Sequence, residues 1–167
     1  MVSKSKIEGI LSGYDLDNIT IATVCSHSSL QIFAGARKEG FRTLGIAVGK
    51  RPKFYDAFPL GKPDEFMVVN DYKEILSRCD ELADRNTIII PHGSFVEYVG
   101  GESILEYFAV PMFGNRLTLY WEGDRERQRR WLTEAGVKTP RRYSSPSEID
   151  RTVIVKLHGA KGGRGYF

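Results

Sequence analysis

The sequence predicts a doubly wound, Rossmann-like α/β domain on a parallel sheet. Short apolar runs rich in β-branched residues recur along the first two-thirds of the chain. Helical stretches or long turns separate them, which leaves room for a crossover between parallel strands. The runs close on polar, glycine- or proline-bearing turns, where chains change direction.

The N-terminal segment MVSKSKIEGILSGYD reads as a short helix. Residues 19–25 (ITIATVC) have the continuous apolar character of a buried parallel strand. SHSSLQ follows, then a helix with Leu30, Phe33, Ala34 and Ala36 on one side, stopped at Gly40. Residues 41–49 (FRTLGIAVG) are a second strand, and the spacing fits a right-handed crossover. Residues 50–64 read as a loop carrying Pro52, Pro59 and Pro63, with scattered aromatics. A third strand is expected at 65–71 and a helix from Tyr72 to Arg85, with Ile75, Leu76, Cys79 and Leu82 at helical spacing. TIIIP (87–91) is a fourth strand stopped by Pro91, HGSFVEYVGG a turn and short helix, and residues 106–114 contain a fifth strand.

Beyond residue 122 the character changes. Residues 123–140 form a highly charged helix with a glycine stop at Gly136 and Pro140 beyond it. Residues 141–150 are a polar linker with a capping signal, and residues 152–167 a strand running into a glycine-rich loop. The expected division is therefore a first domain over 1–122 and the beginning of a second over 123–167.

Composition excludes several classes. Hydrophobic residues at 41% allow a core. A net charge of +3, from 24 Lys+Arg against 21 Asp+Glu, is too small for a nucleic-acid coat. No apolar run approaches the ~20 residues that span a bilayer, and there is no signal-peptide core, so a soluble cytoplasmic protein with no membrane partner is expected. Cys25 and Cys79 alone make neither a disulfide framework nor a metal cluster. The histidines His27, His92 and His158 lack metal-ligand spacing.

Three segments could carry chemistry. Residues 25–29, CSHSS, lie after the first strand at the start of a helix, where open α/β sheets bind ligands. Serine hydroxyls and helix N–H groups suit an anion, and His27 can donate or accept near neutral pH. The same residues would also serve as a plain helix cap with His27 exposed. Cys25 reads as a small buried residue rather than a nucleophile. Residues 91–95, PHGSF, follow the fourth strand and should open on the same sheet edge. The two loops together make a better pocket than either alone, although no G-x-S-x-G elbow is present. The third segment holds Lys156 at a strand end, then Gly159, Lys161, Gly162, Gly163, Arg164 and Gly165. Its glycines let the backbone wrap an anion, and its cations add charge. It satisfies neither the Walker A pattern nor a dinucleotide fingerprint.

The segments GDRERQRRWLTEAGVKTPRRY and VIVKLHGAKGGRGYF resemble the ATP-grasp superfamily. With SHSSLQI, IIPHGSFVEY and VPMFGNR, the whole chain resembles the formate-dependent synthetase family of archaeal purine biosynthesis. That resemblance implies a pre-ATP-grasp domain followed by the start of an ATP-grasp domain. It implies a C–N ligase that formylates the aminoimidazole carboxamide ribonucleotide (AICAR) to its formamido product (FAICAR) on the way to IMP. ATP would phosphorylate formate, and the AICAR amine would attack the formyl phosphate, leaving ADP and phosphate. His27 and Ser94 match positions that contact AICAR. Lys156 matches the strand lysine on ATP phosphate, residues 159–165 the phosphate loop, and Arg125 a phosphate-contacting cation. Arg116 in FGNR is a further pocket candidate. ATP and Mg²⁺ are the implied cofactors, AICAR, formate and ATP the partners, and a homo-oligomer the implied state. Phe54, Tyr55 and Phe58 could form an interface patch or fold back on the sheet. The Mg²⁺ ligands are expected beyond Phe167, none in this chain, since the chain reads as the first part of a longer protein. Alternatives are another ATP-grasp carboxylate–amine ligase, or a nucleotide-binding module that turns over nothing.

Overall fold

The structure, a computed structural model, describes residues 1–155. Its helices α1 (Lys4–Leu11), α2 (Ser29–Lys38), α3 (Pro52–Tyr55), α4 (Cys79–Asp84), α5 (Gly93–Val99), α6 (Gly101–Glu106), α7 (Arg116–Glu122) and α8 (Arg125–Glu134) alternate at first with strands. The strands are β1 (Thr20–Val24), β2 (Arg42–Val48), β3 (Glu65–Val69) and β4 (Thr87–Ile89). They form one parallel sheet in the order β3-β2-β1-β4. Thr20 aligns with Arg42 on one side and Thr87 on the other, and Leu44 with Glu65.

Alternation along the strands sorts side chains onto two faces. Ala22, Val24, Leu44, Ile46, Met67 and Val69 pack with Ile75 and Leu82, with Phe95 and Val99 of α5, and with Ile104 and Phe108. Cys25 and Ala47 go to the other face, against Phe33 of α2 and Tyr55 of α3, with Leu30 and Phe66 alongside. Both faces are covered, which is why β1 is buried at every position instead of alternating with solvent. Helix α2 ends where Gly40 takes φ +83°, a left-handed stop that glycine reaches without a Cβ penalty. No helix among the described residues is long and apolar enough to cross a membrane.

Several expectations change. The fifth strand is a single parallel bridge, Ile89 to Met112. Ile89 N–H donates to Pro111 O, and Phe113 N–H to Ile89 O, each at 2.9 Å. Proline has no N–H to extend that ladder, and α6 already occupies the chain up to Glu106. The helix expected from Tyr72 is a 3₁₀ segment, Tyr72–Ser77, followed by α4. Its first turn is capped by Asp71, whose side chain accepts from Lys73 N–H. The Pro-rich loop contains α3, which folds Tyr55 inward at 3% exposure while Phe54 and Phe58 stay on the surface. Residues 152–155 form no strand, and the predicted glycine-rich loop lies outside the described residues.

Candidate functional site

Strand order places the site. From β1 the chain steps to β2 and then β3 on one side, and β4 returns to the opposite side of β1. The connections leaving β1 and β4 therefore diverge, and a crevice opens between them at the carboxyl ends of the strands. The turn after β1 carries Ser26, His27 and Ser28; the turn after β4 carries Pro91, His92, Gly93 and Ser94. The two loops singled out from sequence flank this switch point.

Each turn is fixed internally. Ser29, fully buried at the first turn of α2, donates through Oγ to Ser26 O at 2.6 Å and lies 2.5 Å from the Tyr55 hydroxyl. His27 is exposed, with Nδ1 3.0 Å from Ser28 Oγ. Ser28 occupies the N-cap position of α2 yet makes no side-chain cap bond, so the plain capping role is not filled by its hydroxyl. Across the crevice His92 is the N-cap of α5, and its Nδ1 accepts the Ser94 N–H at 3.2 Å. An amide can only donate, so Nδ1 is unprotonated and Nε2 carries the hydrogen. Nε2 then donates to Val24 O at 3.1 Å. Burial pushes the His92 imidazole below its ordinary pKa, the Val24 carbonyl opposes this, and nearby His27 adds to it. His92 is thus a neutral tie between β4 and β1. Neither His27 Nε2 nor Ser94 Oγ has a hydrogen-bond partner among the described residues.

Cys25 is fully buried, and burial pushes its thiol to about 11 despite Tyr55 and Arg51 nearby, so it is no nucleophile. Its carbonyl is the anchor of the site, accepting from the Tyr72 hydroxyl at 2.8 Å and from Arg51 Nη1 at 2.6 Å. Tyr72 stacks on Tyr98 of α5 with ring centroids 5.0 Å apart at 10°. The Tyr98 hydroxyl lies 3.5 Å from Ser26 Oγ. Tyr72, Tyr98 and Arg51 were missed from sequence. One signal existed: Tyr98 stands four residues after Ser94, on the same helical face.

Other candidates sit elsewhere. Arg116 Nη2 donates to Phe108 O at 3.3 Å and also to Val110 O, so it braces the chain before α7. Arg125 opens α8 behind its N-cap Asp124, whose carboxylate accepts from Glu126 and Arg127 N–H. Lys156, Gly159, Lys161, Gly162, Gly163, Arg164 and Gly165 lie outside the described residues.

Fold and switch point define the class: a Rossmann-like α/β domain of the kind that forms the N-terminal part of ATP-grasp enzymes. A family model described as a protein of unknown function, DUF1246, matches residues 21–143. Across its whole length the chain is 60% identical to the 5-formaminoimidazole-4-carboxamide-1-(beta)-D-ribofuranosyl 5'-monophosphate synthetase of Korarchaeum cryptofilum, covering 46% of that protein. It is 62% identical to the synthetase of the same name from Methanothrix thermoacetophila, covering 47%. The crystal structure of an IMP biosynthesis protein PurP from Thermococcus kodakaraensis matches with a TM-score of 0.62 at 36% identity, over 81% of this chain and 43% of that one. N5-carboxyaminoimidazole ribonucleotide synthetase from Thermotoga maritima matches with a TM-score of 0.59 over 90% of this chain and 40% of that one; at 17% identity it speaks for the fold alone. The chain belongs to the DUF1246 family. It spans about half the length of the curated relatives it matches.

Proposed function

We propose that this chain is the ribonucleotide-binding part of an ATP- and formate-dependent ligase that formylates AICAR to FAICAR. Formate would be activated as formyl phosphate at the expense of ATP, and the AICAR amine would displace phosphate, giving ADP and phosphate. The observation that carries the reading is the pairing of His27 and Ser94 across the β1/β4 switch point, in a chain 60% identical throughout to a synthetase bearing that product's name. His27 and Ser94 are the AICAR-side contacts. The ATP side belongs to Arg125 and to Lys156 with its glycine-rich loop, which divides the chain at 1–122 and 123–167. No group of three or more His, Cys, Asp or Glu side chains suited to a metal lies among the described residues.

Such catalysis is mainly positioning and charge neutralisation. In this chain the contribution is positioning: Tyr72 and Arg51 bind the Cys25 carbonyl and His92 binds that of Val24, fixing both turns before a ligand arrives. Calorimetry with AICAR tests the binding half. His27→Ala and Ser94→Ala should each weaken AICAR by roughly tenfold, as expected for loss of a hydrogen bond of about 1–1.5 kcal/mol. Unchanged affinity in both would overturn the assignment. The whole ligase should release ADP only with AICAR and formate both present; release without formate would overturn the reaction.

A further inference from the structure

The AICAR reading leaves one part of the ligand without a surface. His27 and Ser94 offer polar contacts, but the imidazole carboxamide is a flat heterocycle. Ser94 and Tyr98 stand four residues apart in α5 and so share a helical face. The 3.5 Å approach of the Tyr98 hydroxyl to Ser26 Oγ shows that this face looks across at the β1–α2 turn.

The Tyr98 ring is held from behind. Tyr72 covers it in a near-parallel stack and is itself buried at 7% exposure, with its hydroxyl on the Cys25 carbonyl. Tyr98 nonetheless keeps 37% of its surface exposed. A half-exposed aromatic fixed this way loses little freedom when a flat ligand settles on it, which favours binding. Phe54 and Phe58, exposed aromatics in the connection between β2 and β3, pack on each other at 5.0 Å.

We propose that Tyr98 is a specificity-determining residue of the switch-point site, its ring, backed by Tyr72, taking the planar heterocycle of the ribonucleotide while His27 and Ser94 take its polar groups. This rests on the AICAR reading above.

Calorimetry on the whole chain with two ligands tests it: AICAR, and ribose 5-phosphate, which lacks the heterocycle and is measured by competition. Tyr98→Leu should lose roughly tenfold to a hundredfold in AICAR affinity, the range of base–aromatic stacking, while ribose 5-phosphate changes less than about twofold. Tyr98→Phe should keep AICAR affinity within about threefold, because the ring survives. In Tyr98→Trp, AICAR but not ribose 5-phosphate should quench the added fluorescence. Equal loss of both ligands in Tyr98→Leu, or full retention of AICAR, would overturn the proposal, as would absence of quenching in Tyr98→Trp. Failure of the unmodified chain to bind AICAR would instead overturn the functional reading, and this inference with it.

Discussion

The imidazole of His92 donates through Nε2 to the carbonyl oxygen of Val24 at 3.1 Å, joining the turn after β4 to the last residue of β1. The same ring caps α5 by accepting the Ser94 N–H at 3.2 Å. One side chain thus closes the back of the crevice and starts the helix that carries Ser94 and Tyr98.

His92→Ala should cost about 2 kcal/mol, combining a lost helix cap with a lost interstrand hydrogen bond. His92→Asn should cost about half of that, since asparagine caps well but is too short to reach Val24. Urea midpoints of the two variants against the parent check the order. Equal losses would mean the cap contributes nothing, and no loss in His92→Asn would mean the same of the Val24 bond.

The same contacts set a pH dependence. Nδ1 must stay unprotonated to accept from Ser94, and the folded-state pKa lies below the ordinary 6.5, with burial the largest cause. The unfolded chain therefore binds the proton more readily. The stabilisation is fully present above pH 6.5 and is lost as pH falls from there through the folded value. Urea midpoints should fall over that window in the parent and less in His92→Asn. Parallel curves would remove His92 as the titrating group.

Gly45, in the middle of β2, faces Pro63 Cγ at 2.7 Å, Cys25 Sγ at 2.8 Å and Phe66 Cδ1 at 3.1 Å from where a Cβ would stand. Gly45→Ala should destabilise by about 1–3 kcal/mol through overpacking. The gain of about 0.4–1 kcal/mol from stiffening the unfolded chain is smaller and does not reverse the sign. Because Cys25 anchors Tyr72 and Arg51, the AICAR affinity proposed above should weaken together with the urea midpoint. An unchanged midpoint would show that Pro63 moves aside freely.

Much of this was legible because local chemistry and tertiary context agree. The run ITIATVC and the IIIP stop announce β1 and β4, and parallel strands place His27 and Ser94 at one edge by topology alone. The run 106–114 misled because Phe108, Ala109 and Val110 are as buried as a strand would be, yet pack without a ladder. Apolar character reports burial and cannot separate a buried strand from a buried coil. Helix α7 was hidden for the opposite reason: it has no buried residue to give a pattern, and it is set by the Asn115 cap on Leu117 N–H. The Tyr72–Tyr98 stack joins residues 26 apart in sequence that share no motif, so only the folded chain brings them together.

Asp64 shows how the opposite edge of the sheet is secured. Its carboxylate accepts from Thr43 N–H at 2.8 Å and from Thr43 Oγ1 at 2.7 Å, pinning the start of β2 to the start of β3. Burial alone would raise its pKa, but the Thr43 hydrogen bonds and the neighbouring Arg37 and Arg42 hold it below the ordinary 3.8. A lowered carboxylate contributes stability that is complete above pH 3.8 and is lost as pH falls through the folded value. The side chain is 49% exposed, so solvent screening keeps the ion-pair share small and the hydrogen bonds dominate. Asp64→Asn should cost about 1 kcal/mol at neutral pH, the difference between charge-assisted and neutral hydrogen bonds. That gap should shrink in acid, where the parent loses the same charge, and a gap constant with pH would remove the carboxylate from the account.

Cys25 gives a chemical readout of the crevice itself. The thiol is fully buried beneath the β1–α2 turn, and burial pushes its pKa to about 11. Only the thiolate alkylates quickly, so at pH ~8 well under one per cent of Cys25 is reactive even before access is counted. Iodoacetamide should leave Cys25 unmodified in the folded chain and label it in urea, as mass spectrometry of the peptide will show. Gly45→Ala and His92→Ala loosen the two sides of the same turn and should speed that labelling, whereas Asp64→Asn, at the far edge of the sheet, should not. If all three variants label alike, protection follows global unfolding and the turn has no local rigidity of its own.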